Sequence, residues 1–139
     1  MATVELRFSA LPEHVRTARL VAAAVARRAG VEESVLDEVR LAVGEACSRA
    51  VGLHQRGDAQ GAIRVALIEQ EKRFLIEVAD EAGPIPLSAS AAAEGSDRDD
   101  DALGLAVITG LVEDVEVSNG NEGGLIRMSW PVSSAPVAV

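Results

Sequence analysis

The chain is poor in residues that staple, stack or carry positive charge. Its 139 residues include one cysteine, no tyrosine, two phenylalanines and one tryptophan. A single cysteine, Cys47, excludes an internal disulfide and supplies no thiolate cluster for a metal. With aromatics confined to Phe8, Phe74 and Trp130, stacking on nucleic-acid bases is not an expected mode of recognition. Basic residues are also in deficit: 13 Lys and Arg against 22 Asp and Glu give a formal charge of −9 and a pI near 4.7. Such a surface repels nucleic-acid phosphates and anionic membranes at long range, so a protein or a small molecule is the expected partner. No apolar run reaches the roughly 20 residues that span a bilayer, and no secretory signal is recognised, so a cytoplasmic location is expected.

What the chain does have is patterning. Its length suits one domain with an adequate core, expected over residues 1–132, followed by a flexible tail at 133–139. The segment TVELRFSA alternates as a strand does, with Val4, Leu6 and Phe8 on one face. Pro12 opens a helix that Gly30 stops near Ala29. A second helix is predicted from about Glu32 to Leu53, with Leu36, Val39, Val43, Ala46, Cys47 and Ala50 as its apolar stripe. Residues 62–69 and 73–79 alternate around the short charged turn Gln70-Glu71-Lys72, the signature of a hairpin. From Asp80 to Asp101 no period is found, and residues 82–101 are expected to form a flexible lid. A short helix from Leu103 to Leu111 and two strands joined at Asn119-Gly120-Asn121 complete the order. The predicted fold class is α/β, a two-layer sandwich whose mostly antiparallel mixed sheet is covered on one face by helices.

Three segments carry residues capable of chemistry. In LDEVRLAVGEACSRAVGLH, residues 36–54, Glu45 and Arg49 stand one turn apart on one helix face. Glu45 has the chemistry of a general base toward a hydroxyl, or is a solvated charge, and with Arg49 it could form a surface pair worth about 0.3–0.5 kcal/mol. In Val78-Ala79-Asp80-Glu81-Ala82-Gly83-Pro84, an aspartate closes a strand ahead of a turn. In Asp100-Asp101-Ala102-Leu103-Gly104-Leu105, a glycine near a helix start offers backbone N–H groups to an anion. Further upstream, the exposed arginines Arg16 and Arg19 form a basic patch on the first helix, solubilising or recognitive.

The order and spacing of these segments resemble the ATP-binding domain of the GHKL (Bergerat) type, shared by sensor histidine kinases, gyrase and heat-shock chaperones. The resemblance is closest to serine kinases that act as anti-sigma factors, and it covers roughly residues 3 to 132. It implies that Glu45 is the base toward a substrate serine, Asp80 the contact of the adenine amino group, and Gly83, Gly104 and Leu105 part of the nucleotide cradle. Arg49 matches an asparagine that holds Mg²⁺; a guanidinium repels a cation, and would instead bind the phosphates or pair with Glu45. Ala82, Pro84, Ala102 and Leu125 also depart from the family's pattern, at positions where it has Gly, Gly, Gly and Thr, and Leu53 stands where it has His, with His54 one residue late. A lone His54 at a helix end is expected to cap the helix or to be solvated. Arg19 matches an arginine that contacts both the sigma factor and the antagonist.

The implied function is regulation of transcription by partner switching, with weak or lost ATP binding and kinase activity. The alternative is an active serine/threonine kinase that phosphorylates an anti-anti-sigma (STAS-type) antagonist with ATP. ATP or ADP is the implied cofactor and Mg²⁺ is not expected. A homodimer is usual in the branch, and neither direct nucleic-acid contact nor a membrane is expected.

Overall fold

The computed structural model describes residues 2–57, 60–82, 96–120 and 123–132. Strand β1 (Thr3–Phe8) leads into helix α1 (Glu13–Ala29), whose entry is preset by Pro12 at φ −55°. Gly30 ends it at φ 102°, a left-handed conformation, and its N–H donates back to Ala26 and Arg27. A 3-10 turn (Glu33–Val35) precedes helix α2 (Leu36–Arg56), which continues three residues beyond the predicted Leu53. Strands β2 (Ile63–Glu69) and β3 (Arg73–Ala79) form the predicted hairpin, closed by Gln70 N–H on the Arg73 carbonyl at 2.9 Å. Helix α3 (Ser96–Leu111) and the strands β4 (Asp114–Gly120) and β5 (Gly123–Pro131) complete the chain.

Two expectations are corrected here. Helix α3 begins at Ser96 rather than Leu103, so residues 96–101 of the expected lid are helical. The acidic run has no apolar period to announce a helix, yet carboxylates suit the positive end of a helix dipole. The rest of that lid, Gly83 and Pro84 included, lies outside the described residues, as does the tail. The sheet also contains no parallel pair among the described residues. Its order is β1-β2-β3-β5-β4, and each of the four pairings is antiparallel.

Register and alternation sort the side chains onto two faces. Val65 pairs with Val78 and Leu67 with Ile76, while Ile126, Met128 and Trp130 stand opposite Val78, Ile76 and Phe74. This apolar face is covered by the helices: α1 and α2 pack on each other and on β2 and β3, and α3 packs on α2. Phe74, Ile76, Leu67 and Met128 are fully buried, as are Ala42, Val43, Ala46 and Cys47 of the α2 stripe. The other face carries charge. Arg73 reaches Asp114 and donates to Ser129 Oγ at 2.8 Å, and Arg127 pairs with Glu77 at 2.7 Å. No helix of the described residues is long and apolar enough to cross a membrane.

Candidate functional site

Helix α2 is the wall on which the predicted residues meet. Glu45 faces α3: a methyl group placed on the buried Gly104 would lie 3.2 Å from Glu45 Oε2. A side chain at Gly104 would crowd that carboxylate by a few tenths of an ångström, so the glycine leaves room for the half-buried Glu45 between the two helices. Leu105, next to it, packs against the core, so its side chain is structural. Arg49 follows Glu45 by one turn on the same face. Its Nε is buried without a hydrogen-bond partner, and no ion pair with Glu45 is among those formed by the described residues. The intrahelical pair considered from sequence is thus not what this structure contains.

At the far end of α2, Asp80 is 8% exposed and held on three sides. Its Oδ1 accepts the Ala82 N–H at 3.1 Å and the Gly124 N–H at 3.0 Å, while its own N–H donates to the Gly124 carbonyl at 3.0 Å. A carboxylate stabilised by two amides is firmly oriented, and the ring of bonds ties the end of β3 to the start of β5. Gly123 makes this approach possible with φ 139°; a methyl there would overlap the Asp80 carbonyl oxygen. Leu125 pairs with Ala79 and, alternating with buried Ile126, falls on the face away from the helices.

His54 departs from its expected role. It is 1% exposed, and its Nε2 accepts the Glu81 N–H at 2.9 Å, which places the ring proton on Nδ1. His54 thus fixes the residue after Asp80, and neither caps α2 nor meets solvent. The signal was available, because His54 stands four residues after Ala50 and so extends the apolar stripe.

The first-helix arginines stand on α1, which packs on α2. Arg16 and Arg19 are exposed, and neither forms an ion pair among the described residues. The aliphatic stem of Arg19 crosses Gly44: a methyl on Gly44 would meet Arg19 Cδ at 2.8 Å. Arg19 therefore crosses α2 at the residue next to Glu45. Sequence reasoning singled out neither Gly44 nor Gly123, since each earns its place only through a tertiary approach. Among the described residues, surface cavities elsewhere include one of about 440 Å³ around Leu11, His54 and Gly61 and one of about 420 Å³ around Arg73, Asp114 and Arg127.

As for a metal, no group of three His, Cys, Asp or Glu side chains among the described residues is placed to hold one. Glu45 offers a single carboxylate, and the next residue on its face is a guanidinium. The described residues thus supply no cation cage of their own, and a fixed positive charge stands beside the one carboxylate.

Residues 8–130 match the family model described as a histidine kinase-like ATPase domain. The serine-protein kinase RsbW of Bacillus pumilus is 30% identical over 136 residues, which cover 91% of this chain and 83% of the relative. RsbW of Oceanobacillus iheyensis is 28% identical over 142 residues, covering 96% and 89%. Among solved structures, the RsbU and RsbW domains of a Mycobacterium tuberculosis protein superpose with a TM-score of 0.69 at 18% identity. That likeness covers 95% of this chain and 33% of the solved one, and it concerns the fold.

Proposed function

We propose, for a chain that belongs to the histidine kinase-like ATPase domain family and to its anti-sigma-factor serine kinase branch, a regulatory protein that acts by binding partner proteins. In this reading it controls transcription by switching between a sigma factor and an anti-anti-sigma antagonist. Ordinary Mg²⁺-dependent phosphoryl transfer is weak or lost, and the partner surface centres on Arg19 and Arg16. The observation that carries the reading is Arg49: a cation with a buried, unpartnered nitrogen stands one turn from the candidate base, where the family holds Mg²⁺. A metal neutralises charge on the transferring phosphoryl group, and positioning with electrostatics supplies most of that catalysis. With a guanidinium in the way, Glu45 lacks the environment in which a base would be useful.

The nucleotide side retains Asp80 for an adenine contact and Gly104 as the small residue that faces Glu45 across the cleft. Asp80 Oδ1 is already taken by two backbone amides, so adenine would be read by the other carboxylate oxygen. Arg19, by contrast, stands exposed on a seat made for it at Gly44, and a planar guanidinium that becomes desolvated at an interface is worth several-fold to thousands-fold in affinity. A homodimer is part of the proposal, as is a cytoplasmic site of action.

Glu45 against Gly104 favours one second reading, a serine/threonine kinase that transfers the γ-phosphoryl of ATP to an antagonist serine with altered metal use. Incubation with γ-labelled ATP, Mg²⁺ and candidate antagonist proteins separates the two. The regulatory reading expects no incorporation above a Glu45→Ala control. Arg19→Glu is expected to abolish co-purification of a sigma factor or antagonist expressed with the wild-type chain. Label on a serine of the antagonist would establish the second reading, and complexes that survive Arg19→Glu would remove Arg19 from the partner surface.

A further inference from the structure

We infer that Arg49 is the counter-charge for the phosphates of a bound nucleoside di- or triphosphate, so that this chain binds nucleotide without a divalent cation. The inference rests on the proposed reading only for the location of the nucleotide cleft. Its own support is the state of Arg49. Arg49 is half-buried, and its Nε is removed from both water and protein partners, an unmet donor that an acceptor would relieve. None of the acidic side chains described pairs with Arg49. Even Glu45, one turn away on the same face, leaves it unpaired.

Position supports the assignment. Arg49 follows Glu45, which faces Gly104 of α3, by one turn on the same side of α2, and lies toward the helix end at which His54 accepts the Glu81 N–H beside Asp80. A phosphate placed there meets a forked donor suited to its oxygens, while the oriented Asp80 carboxylate lies at the end where a base would be read. The same arrangement disfavours Mg²⁺, since a cation bound between phosphate and Arg49 would face a fixed positive charge. Magnesium in solution, by complexing the phosphates, competes with Arg49 for them.

Isothermal titration of the full chain with ADP and ATP, in EDTA and then in excess Mg²⁺, tests this directly through the heat of binding. We expect binding in EDTA, equal or weaker affinity in Mg²⁺, and a loss of about 10- to 100-fold in EDTA for Arg49→Ala, as removal of a charged hydrogen-bond donor implies. Arg49→Gln, which preserves the size of the side chain, serves if Arg49→Ala fails to fold and is expected to lose affinity likewise. Arg49→Asn should lose metal-free binding in the same way. Binding that appears only with Mg²⁺, no binding of either nucleotide, or unchanged affinity in the Arg49 variants would each overturn the inference. Pyrophosphate binding as tightly as ADP would also overturn it, by showing a general anion site. None of these outcomes touches partner binding, which Arg19→Glu tests separately.

Discussion

Two identical chemical changes, Gly123→Ala and Gly110→Ala, should move the stability of this protein in opposite directions. At Gly123 the backbone has φ 139°, and an added methyl would overlap the Asp80 carbonyl oxygen while lying 2.8 Å from its carbon and 3.0 Å from Glu81 Cα. All three neighbours are backbone, so nothing can rotate aside. Backbone strain in an L-residue there costs roughly 1–2 kcal/mol. Relief of the overlap requires β5 to retreat from Asp80, loosening the bond from Gly124 N–H to the carboxylate, about 1.5 kcal/mol or more, and the neutral bond back to the Gly124 carbonyl, about 1 kcal/mol. The expected loss is about 3–5 kcal/mol, a large part of the roughly 5–15 kcal/mol typical of a domain. Gly110, in the last turn of α3, has no atom within 4 Å of a built Cβ, so alanine there should gain about 0.5 kcal/mol by restricting the unfolded chain and favouring helix. Urea unfolding followed by the fluorescence of Trp130, the single tryptophan and 3% exposed, measures both. A loss below about 1 kcal/mol at Gly123 would refute the argument that this glycine sustains the Asp80 ring.

Two further outcomes follow from burial and exposure. Burial raises the Cys47 thiol from 9.0 to about 12, so the native protein should resist a disulfide reagent at pH 8 and react at once in denaturant; rapid labelling of the folded chain would contradict this. Because the folded state keeps a proton that the unfolded state releases, the associated stability is fully present below pH 9 and is lost as pH rises toward 12, which alkaline unfolding of wild type against Cys47→Ala would resolve. Asp114→Ala removes the partner of Arg73 on the uncovered sheet face, where both side chains are about half exposed, and should cost less than about 1 kcal/mol. A larger cost in urea unfolding would mean that the charges on that face form a cooperative network.

Much of the frame was legible because alternation and helical spacing report burial locally. The β2–β3 hairpin, β1 and the apolar stripe of α2 each follow from a run of residues whose period matches the side they bury. The start of α3 was not legible, since an aspartate run announces its helix only through the dipole and not through an apolar face. Glu45, Arg49, Asp80 and Gly104 were found as residue types in order, and the structure places Glu45 beside α3 and Asp80 at the end of β3. The contacts that give those residues their setting were not legible. Glycines at 44, 104 and 123 matter because of what crosses them from another element, and such crossings leave no local pattern. His54 was misread because its polarity hid its place on the buried stripe.

The seat beneath Arg19 has a consequence for how this chain can change over time. Its floor is helix backbone bared by Gly44, where the atoms nearest to an added methyl are Cδ, Cγ and Nη1 of Arg19 itself. Replacement of Glu45, Arg49 or Gly104 therefore leaves its shape intact, provided that α2 stays helical. Mutational drift can erode one groove of the wall while selection preserves the other, and recognition can outlive the chemistry with which it began.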